Sequence, residues 1–180
     1  MHSDYLFSSK RLGFRNWKEK DKIPFFLMNN NQQVMEHFPA LLDKAASDEL
    51  LYKLQHHFLS HGYTYFAVDE LNSQKLIGFI GIKNQDYEYQ HTPFIDIGWR
   101  LDPAFWGKGY ATEGAKACLE FGFNTIGLDE IYSVAVHQNQ NSFRVMEKLG
   151  MQKIDTIFHP AMDANHPLQP CHCYKIKKPL

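Results

Sequence analysis

The 180-residue sequence has few cysteines and no excess of charge of either sign. Its three cysteines, Cys118, Cys171 and Cys173, are too few and too unevenly spaced for a disulfide framework, which favours a reducing, cytoplasmic location. Nineteen basic residues stand against twenty acidic ones, so no field of one sign indicates a nucleic-acid or membrane surface. Any anionic ligand must therefore be held by a local site.

Long apolar runs are also missing. No stretch approaches the roughly 20 residues that a membrane-spanning helix needs, and the first residues lack the basic-then-apolar pattern of a secretory signal. The length suits a single domain over residues 1–180 that can bury its own core. We expect a monomer or homodimer with neither a nucleic-acid nor a membrane partner.

The apolar periodicity predicts an α+β fold. A period of two in Thr64–Val68 and Lys75–Ile82 predicts an antiparallel hairpin, and Phe94–Leu101 continues the same sheet. A helical pattern over Tyr110–Phe123 and a buried strand over Ile131–Val136 follow, which implies one parallel pair. We therefore predict a mixed, mostly antiparallel sheet of about six or seven strands with one parallel crossover, flanked by helices.

A glycine loop follows the strand that ends at Leu101. The sequence Gly107-Lys-Gly109 precedes a helix start, where unpaired backbone N–H groups and the helix dipole favour an anion. The Gly-Lys-Ser/Thr ending of a Walker loop is absent. A dinucleotide loop requires a third small residue where Thr112 stands and a repeated β-α-β unit around it. The spacing therefore argues against both kinds of nucleotide site.

Two motifs in a fixed order carry a family resemblance. Gly-Lys-Gly-Tyr-Ala-Thr-Glu fills positions 107–113, and Asn-x-x-Ser-x-Arg-Val-Met-Glu-Lys-Leu-Gly-Met follows at 139–151. Together they resemble the GCN5-related N-acetyltransferases (GNAT), and within them the branch that acetylates ribosomal-protein N-termini. The resemblance implies the acyl-CoA N-acyltransferase fold, acetyl-CoA as co-substrate, no metal, and an acceptor that is a protein N-terminus or a small-molecule amine.

The same resemblance implies where the coenzyme binds. Trp106 stands where the family's loop usually has glutamine or arginine, but the backbone N–H groups that follow can still bind the pyrophosphate. The pantetheine arm would lie between the parallel strands, and the N–H near Leu101 would stabilise the oxyanion. The predicted coenzyme-binding residues are Trp99, Arg100, Leu101, Gly107, Lys108, Gly109, Tyr110, Ala111, Thr112, Asn139 and Ser142.

Amine attack on a thioester requires an acceptor for the amine proton. Asp96 interrupts an apolar strand, and family members often have an acidic residue there that accepts this proton directly or through water. Alternation places Asp96 on the same sheet face as Arg100, so an ion pair with Arg100 or a bond to a loop N–H is the structural interpretation. Glu88 and His137 are the alternative bases.

Protonation of the leaving thiolate is a smaller requirement, because a thiol has a pKa near 8.5. Many family members supply a tyrosine for it, but Met146 stands at that position and cannot donate. Ser142 is then the predicted catalytic group on the sulfur side, with a helix N-cap as its alternative role. Asn139 would contact the pantetheine amides or act as an ordinary turn residue.

The sequence thus predicts an acetyl-CoA-dependent N-acetyltransferase that works by direct attack, since no activated nucleophile is apparent. Trp106 and Met146 keep open a non-catalytic acyl-CoA-binding or regulatory module. A metal-binding domain would rest on the tail alone, where no zinc spacing is matched and alternation separates one histidine from two thiols. The tail residues concerned are His159, His166, Cys171, His172 and Cys173.

Overall fold

The computed structural model describes residues 5–85, 91, 93–158 and 165–179. It contains a sheet of eight strands. In chain order they are β1 (Phe7–Ser8), β2 (Leu12–Arg15), β3 (Tyr65–Glu70), β4 (Lys75–Gln85), β5 (Phe94–Leu101), β6 (Glu130–Val136), β7 (Gln152–Phe158) and β8 (Pro170–Lys177). The spatial order is β1-β2-β3-β4-β5-β6-β8-β7.

All neighbouring strands are antiparallel except β5 and β6, which run parallel. The predicted mixed sheet with one parallel crossover is therefore confirmed. The predicted number of six or seven strands was wrong, because β1 is only two residues long and leaves no periodic signal. It pairs Phe7 with Phe14 and Ser8 with Gly13.

The helices follow the predicted order with shifted ends. They are α1 (Lys22–Asn29), α2 (Gln32–Met35), α3 (Lys44–His61), α4 (Tyr110–Phe121) and α5 (Gln140–Lys148). The Asp43 carboxylate starts α3 by accepting the N–H of Ala46 at 2.8 Å, and Gly62 ends it at a φ of +77°. Such left-handed ends favour glycine because it lacks a Cβ. No helix in the described part of the chain is both long and apolar enough to cross a membrane.

Helices cover both faces of the sheet. Ala115 and Leu119 of α4 pack on one face with Phe66 of β3, while Leu54 of α3 packs on the other with Ala67. Adjacent residues of β3 thus enter different cores, as the two-residue period of a strand requires. The same alternation puts the even-numbered side chains of β5 on the face of α1 and α3, and the odd-numbered ones under α4.

The parallel strands β5 and β6 separate soon after they meet. Among the described residues their register contains one pair, Asp96 with Tyr132, whereas β4 and β5 are paired along the whole length of β5. The hydroxyl of Ser133 donates to the carbonyl of Ile97 at 2.9 Å and closes this junction. Beyond it, the second half of β5 runs toward the glycine loop with a gap on its β6 side.

Candidate active site

The glycine loop connects the end of β5 to α4. Asp102 opens a 3-10 turn at Pro103–Phe105, where its carboxylate accepts the N–H of Ala104 at 2.8 Å. Gly107 and Gly109 then adopt φ values of +71° and +79°, which residues with a Cβ rarely do. Gly109 is the N-cap of α4 and offers no capping side chain, so the first N–H groups of the helix are left for a ligand.

Glu113 fixes the first turn of α4 to the hairpin of β1 and β2. Its carboxylate accepts hydrogen bonds from the Ser9 hydroxyl at 2.7 Å and from the backbone N–H and Nε–H of Arg11 at 2.8 and 2.6 Å. Burial opposes the charge on Glu113, but these bonds and the Arg11 charge outweigh burial and lower its pKa. The N-terminus of α4 is therefore held in a fixed position beside the loop.

Trp106 ties the loop to the strand before it. Its indole N–H donates to the carbonyl of Leu101 at 2.7 Å, although the side chain is 45% exposed. The residue that departs from the family pattern thus has a structural contact of its own. A glutamine or arginine in its place would supply a polar group to the site, whereas Trp106 uses its one donor to hold the end of β5.

The backbone of β5 offers hydrogen-bonding groups to the gap. The N–H of Asp102 donates to Ile77 on β4 at 2.9 Å, and backbone groups of successive strand residues point to opposite sides. The N–H groups of Trp99 and Leu101 therefore point toward β6, on the side where the two strands have separated. This is the edge against which the pantetheine arm is predicted to lie.

Asp96 lies on β5 at the junction of the two parallel strands. Its side chain is buried, and Oδ1 accepts hydrogen bonds from the hydroxyl of Tyr65 at 2.5 Å and from Nε2 of Gln85 at 3.1 Å. Burial raises the pKa of Asp96 to about 6, while the two hydrogen bonds and the charge of Lys83 act in the opposite direction. The carboxylate is therefore ionised at neutral pH yet close to the pKa that suits a general base.

Arg100 does not neutralise Asp96, although the two share a sheet face as predicted. The guanidinium Nη1 donates to Oδ1 of Asn29 at 2.6 Å and the group lies 4.0 Å from the ring centroid of Phe38. No ion pair within the described part of the chain joins Arg100 to Asp96. The structural interpretation of Asp96 as the partner of Arg100 was therefore wrong.

Of the two alternative bases, His137 lies apart from Asp96. His137 lies five residues beyond Tyr132, roughly 16 Å at the rise of a strand. Its Nδ1 is 2.9 Å from Nε2 of His172, at the exposed end of β6. Glu88 lies outside the described residues, as does His159 of the tail. Of the two predicted bases that the structure describes, Asp96 is the one at the junction of β5 and β6.

Helix α5 begins three residues earlier than an N-cap at Ser142 would place it. Asn139 is its N-cap, because Oδ1 of Asn139 accepts the N–H of Ser142 at 3.1 Å. The alternative role of Ser142 as the N-cap was therefore wrong. The Ser142 hydroxyl has no hydrogen-bond partner among the described residues and can contact a ligand. Met146, one turn later, is buried in the core.

Sequence reasoning missed Tyr65 and Gln85, the two partners of Asp96. Tyr65 is two strands away from β5, and its ring lies over Gly98, where an added Cβ would stand 3.2 Å from ring carbons. Glycine at 98 thus leaves the space through which the phenol reaches Asp96. The available signal in the sequence was Gly98 itself, which stands between Asp96 and Arg100 on one face of β5. A glycine at such a position leaves room for a side chain from another strand.

The tail shows the predicted alternation. Cys171 and Cys173 are buried, whereas His172 is partly exposed on the opposite side. All three cysteines of the chain are free thiols. Within the residues that the structure describes, no three His, Cys, Asp or Glu side chains are grouped so that they could hold a metal ion.

Comparison with known proteins decides the family. Residues 11–152 match the acetyltransferase (GNAT) domain. The chain belongs to the GNAT family. It is 30% identical over 146 residues to the uncharacterized N-acetyltransferase YnaD of Bacillus subtilis, across 81% of this chain and 82% of that protein. This GNAT chain is accordingly an acetyl-CoA-dependent N-acetyltransferase.

Solved structures share the fold of this GNAT chain. A GNAT-family acetyltransferase from Bacillus anthracis superimposes with a TM-score of 0.77 and 25% identity over 94% of this chain and 96% of that one. A ribosomal-protein-serine acetyltransferase, described as putative, from Vibrio cholerae gives 0.76 and 17%, over 99% and 100%. The Vibrio cholerae spermidine N-acetyltransferase with CoA and spermine gives 0.72 and 21%, over 93% and 95%. The predicted acyl-CoA N-acyltransferase fold is confirmed.

Proposed function

We propose that this chain transfers the acetyl group of acetyl-CoA directly to a primary amine, with Asp96 as the base. One observation carries the proposal: a buried carboxylate with a pKa of about 6 lies where β5 and β6 separate. That junction is the closed end of the gap in which the thioester would lie. A base at this position can accept the proton of an attacking amine inside the protein, so the proton need not pass directly to bulk solvent.

The coenzyme is held by backbone groups in this proposal. The N–H groups of residues 107–112 bind the pyrophosphate at the N-terminus of α4. The arm then runs along Trp99–Leu101, and the N–H of Leu101 donates to the thioester carbonyl. Asn139 contributes its amide nitrogen from the other side, because its oxygen already caps α5.

The chemical step balances without an acyl-enzyme. The neutral amine attacks the thioester carbonyl, a C–N bond forms, and Asp96 accepts the ammonium proton directly or through a water molecule. The tetrahedral oxyanion is stabilised by the Leu101 N–H until it collapses and the C–S bond breaks. The thiolate leaves with a proton from Ser142 or from solvent, which is a modest requirement for a thiol.

The acceptor is proposed to be a protein N-terminus or a small-molecule amine. The motif resemblance to the ribosomal-protein branch supports the first, and the likeness in fold to a spermidine N-acetyltransferase supports the second. Both are primary amines, so the same base and oxyanion site serve either. The cytoplasm is the proposed location, supported by the three free thiols.

The test is acetyl-CoA-dependent release of free thiol in the presence of peptides with free N-termini, lysine peptides, amino acids and polyamines. We expect at least one class to release thiol, and Asp96→Asn to lower kcat by about 100-fold or more, the usual contribution of a general base. The apparent affinity for coenzyme A should stay nearly unchanged in that variant. Stabilisation by coenzyme A without thiol release from any amine would instead indicate a non-catalytic binding module.

A further inference from the structure

Arg100 carries a largely buried charge that no carboxylate among the described residues neutralises. Its Nε is buried without a hydrogen-bond partner among the described residues, and Nη1 has only the neutral amide oxygen of Asn29. Two aromatic rings flank the guanidinium, with centroids 4.0 Å away at Phe38 and 5.3 Å away at Phe79. Burial lowers the pKa of Arg100 to about 10, which is the effect of desolvating a charge that lacks a counterion.

Arg15, a fully buried arginine, is instead paired with carboxylates. Arg15 donates to both carboxylate oxygens of Asp69 at 2.7 and 2.8 Å and to both of Asp21 at 2.6 and 3.0 Å. Two acids thus surround one arginine in the interior on the β2 side of the sheet. An unpaired buried charge is strongly destabilising. The guanidinium of Arg100 has a neutral amide as its partner, whereas that of Arg15 has two carboxylates. Arg100 therefore lacks an anionic partner.

The position of Arg100 connects it to the reaction. It shares a face of β5 with Asp96 and lies two residues farther along, roughly 7 Å away at the rise of a strand. The ring of Tyr65 lies between them over Gly98. Phe38, whose ring lies over the guanidinium, is exposed, and Arg100 as a whole residue is only partly buried. An acceptor that displaces this ring can therefore reach the guanidinium. An acceptor with its amine at Asp96 would extend across Tyr65 toward Arg100.

We infer that Arg100 binds a carboxylate on the acceptor, so that the substrates of this enzyme are primary amines that carry an acidic group several bonds away. The inference rests on the proposed role of Asp96 in receiving the amine. Nε and the terminal nitrogens of Arg100 form the fork that binds a carboxylate through two parallel hydrogen bonds. A polyamine would bring a second cation to the same place and would be disfavoured.

The test compares ω-amino acids of increasing length with their primary amides, which have the same chain and amine but no negative charge. For the best length, we expect wild-type kcat/KM to favour the acid over its amide by about 10-fold or more, the usual effect of a charge-assisted hydrogen bond. Arg100→Met should remove that preference by lowering activity on the acid alone. Arg100→Lys, which keeps the charge but loses the fork, should retain part of it.

The control is Lys53→Met, which removes a cation from an ion pair with Glu49 on the exposed surface of α3. It should leave the preference for the acid intact. Equal losses of Arg100→Met on acid and amide, or no preference in the wild-type enzyme, would overturn the inference while leaving the proposed function standing. Arg100→Lys supplies the same comparison if Arg100→Met does not fold.

A binding measurement separates the two proposals. In the presence of coenzyme A, the ω-amino acid should raise the melting temperature of the wild-type protein more than its amide does, and this difference should vanish in Arg100→Met. That result would support the inference even if no amine released thiol and the proposed function failed. Equal stabilisation by acid and amide in the wild-type protein would contradict it.

Discussion

The hydroxyl of Tyr65 on β3 donates a hydrogen bond to Oδ1 of Asp96 on β5 at a distance of 2.5 Å, and β4 lies between these two strands. This bond stabilises the ionised carboxylate in a buried place where desolvation favours the neutral acid. The same phenol oxygen accepts a hydrogen bond from Gln85 at 3.0 Å. The protonation state of Asp96 is therefore set by a balance between burial, which raises its pKa, and two hydrogen bonds and the charge of Lys83, which lower it.

The stability of the protein should reveal this balance. The pKa of Asp96 is raised from 3.8 to about 6, so its contribution to stability is present below pH 3.8 and is lost as pH rises through 6. At 1.36 kcal/mol for each pKa unit, the loss is about 3 kcal/mol. Asp96→Asn should thus be more stable than wild type by about 2–3 kcal/mol at pH 8. Denaturant unfolding at pH 8 and pH 4 measures the difference, which should disappear at the acid end; an equally large difference at both pH values would refute the assignment.

Replacement of Tyr65 by phenylalanine should shift the pH dependence of catalysis. Without the phenol the carboxylate loses a hydrogen bond that lowers its pKa, so the acid limb of kcat/KM should move above pH 6. Activity at pH 6.5 should fall by several-fold and recover at pH 8. Tyr52→Phe, an exposed tyrosine on α3, is the matched control and should leave the pH profile unchanged. A profile that moves to lower pH would contradict the role given to Tyr65.

Two glycines with almost the same backbone angles allow a test of the coenzyme loop. Gly109 and Gly62 have φ values of +79° and +77°, and an alanine Cβ would meet only Nη2 of Arg11 at 3.7 Å in the first case and nothing within 4 Å in the second. Each Gly→Ala change should destabilise the fold by about 1–2 kcal/mol through backbone strain. Only Gly109→Ala should also weaken coenzyme A binding, measured by titration calorimetry. Equal affinities in the two variants would remove Gly109 from the proposed pyrophosphate site.

Ser142 and Asn139 can be separated in the same way. Asn139→Ala removes the cap of α5 and should cost about 1 kcal/mol of stability. Ser142→Ala leaves the capping bond in place, because that bond uses the backbone N–H of residue 142. It should lower kcat without lowering the melting temperature. Wild-type kcat in Ser142→Ala would show that solvent alone protonates the leaving thiolate.

The sequence predicted features that depend on local order. The bounds of β5 and the face shared by Asp96 and Arg100 follow from strand alternation and from Pro103, and the structure has both. An ion pair between those two side chains could not be inferred in the same way. Residues two apart on a strand are separated by roughly 7 Å, so each can bond to a residue of another element instead. Asp96 accepts hydrogen bonds from Tyr65 and Gln85, and Arg100 donates one to Asn29. Each of these partners is distant in sequence or lies on another strand.

Helix starts and short strands were also beyond sequence reasoning. Ser47 has the residue type of a helix cap, but the cap of α3 is Asp43. The buried hydroxyl of Ser47 instead accepts a hydrogen bond from Nδ2 of Asn29 at 3.0 Å. Both serine and aspartate are good caps, so only the backbone conformation decides between them. In α5 the same ambiguity between Asn139 and Ser142 was resolved by a single hydrogen bond.

Because β5 and β6 separate, the second half of β5 has unpaired backbone groups on its β6 side, like those of an edge strand, although β5 lies in the middle of the sheet. Unpaired strand edges usually attract other chains, and proteins protect them by covering or shortening them. Here the amides of pantetheine would form hydrogen bonds with the unpaired backbone of β5, as a neighbouring strand would. Unlike a strand, the coenzyme can dissociate. Its occupancy then adds to the folding free energy, by about 2.7 kcal/mol at a hundredfold excess over Kd. The stability of the folded enzyme would thus rise with the supply of the substrate that it consumes.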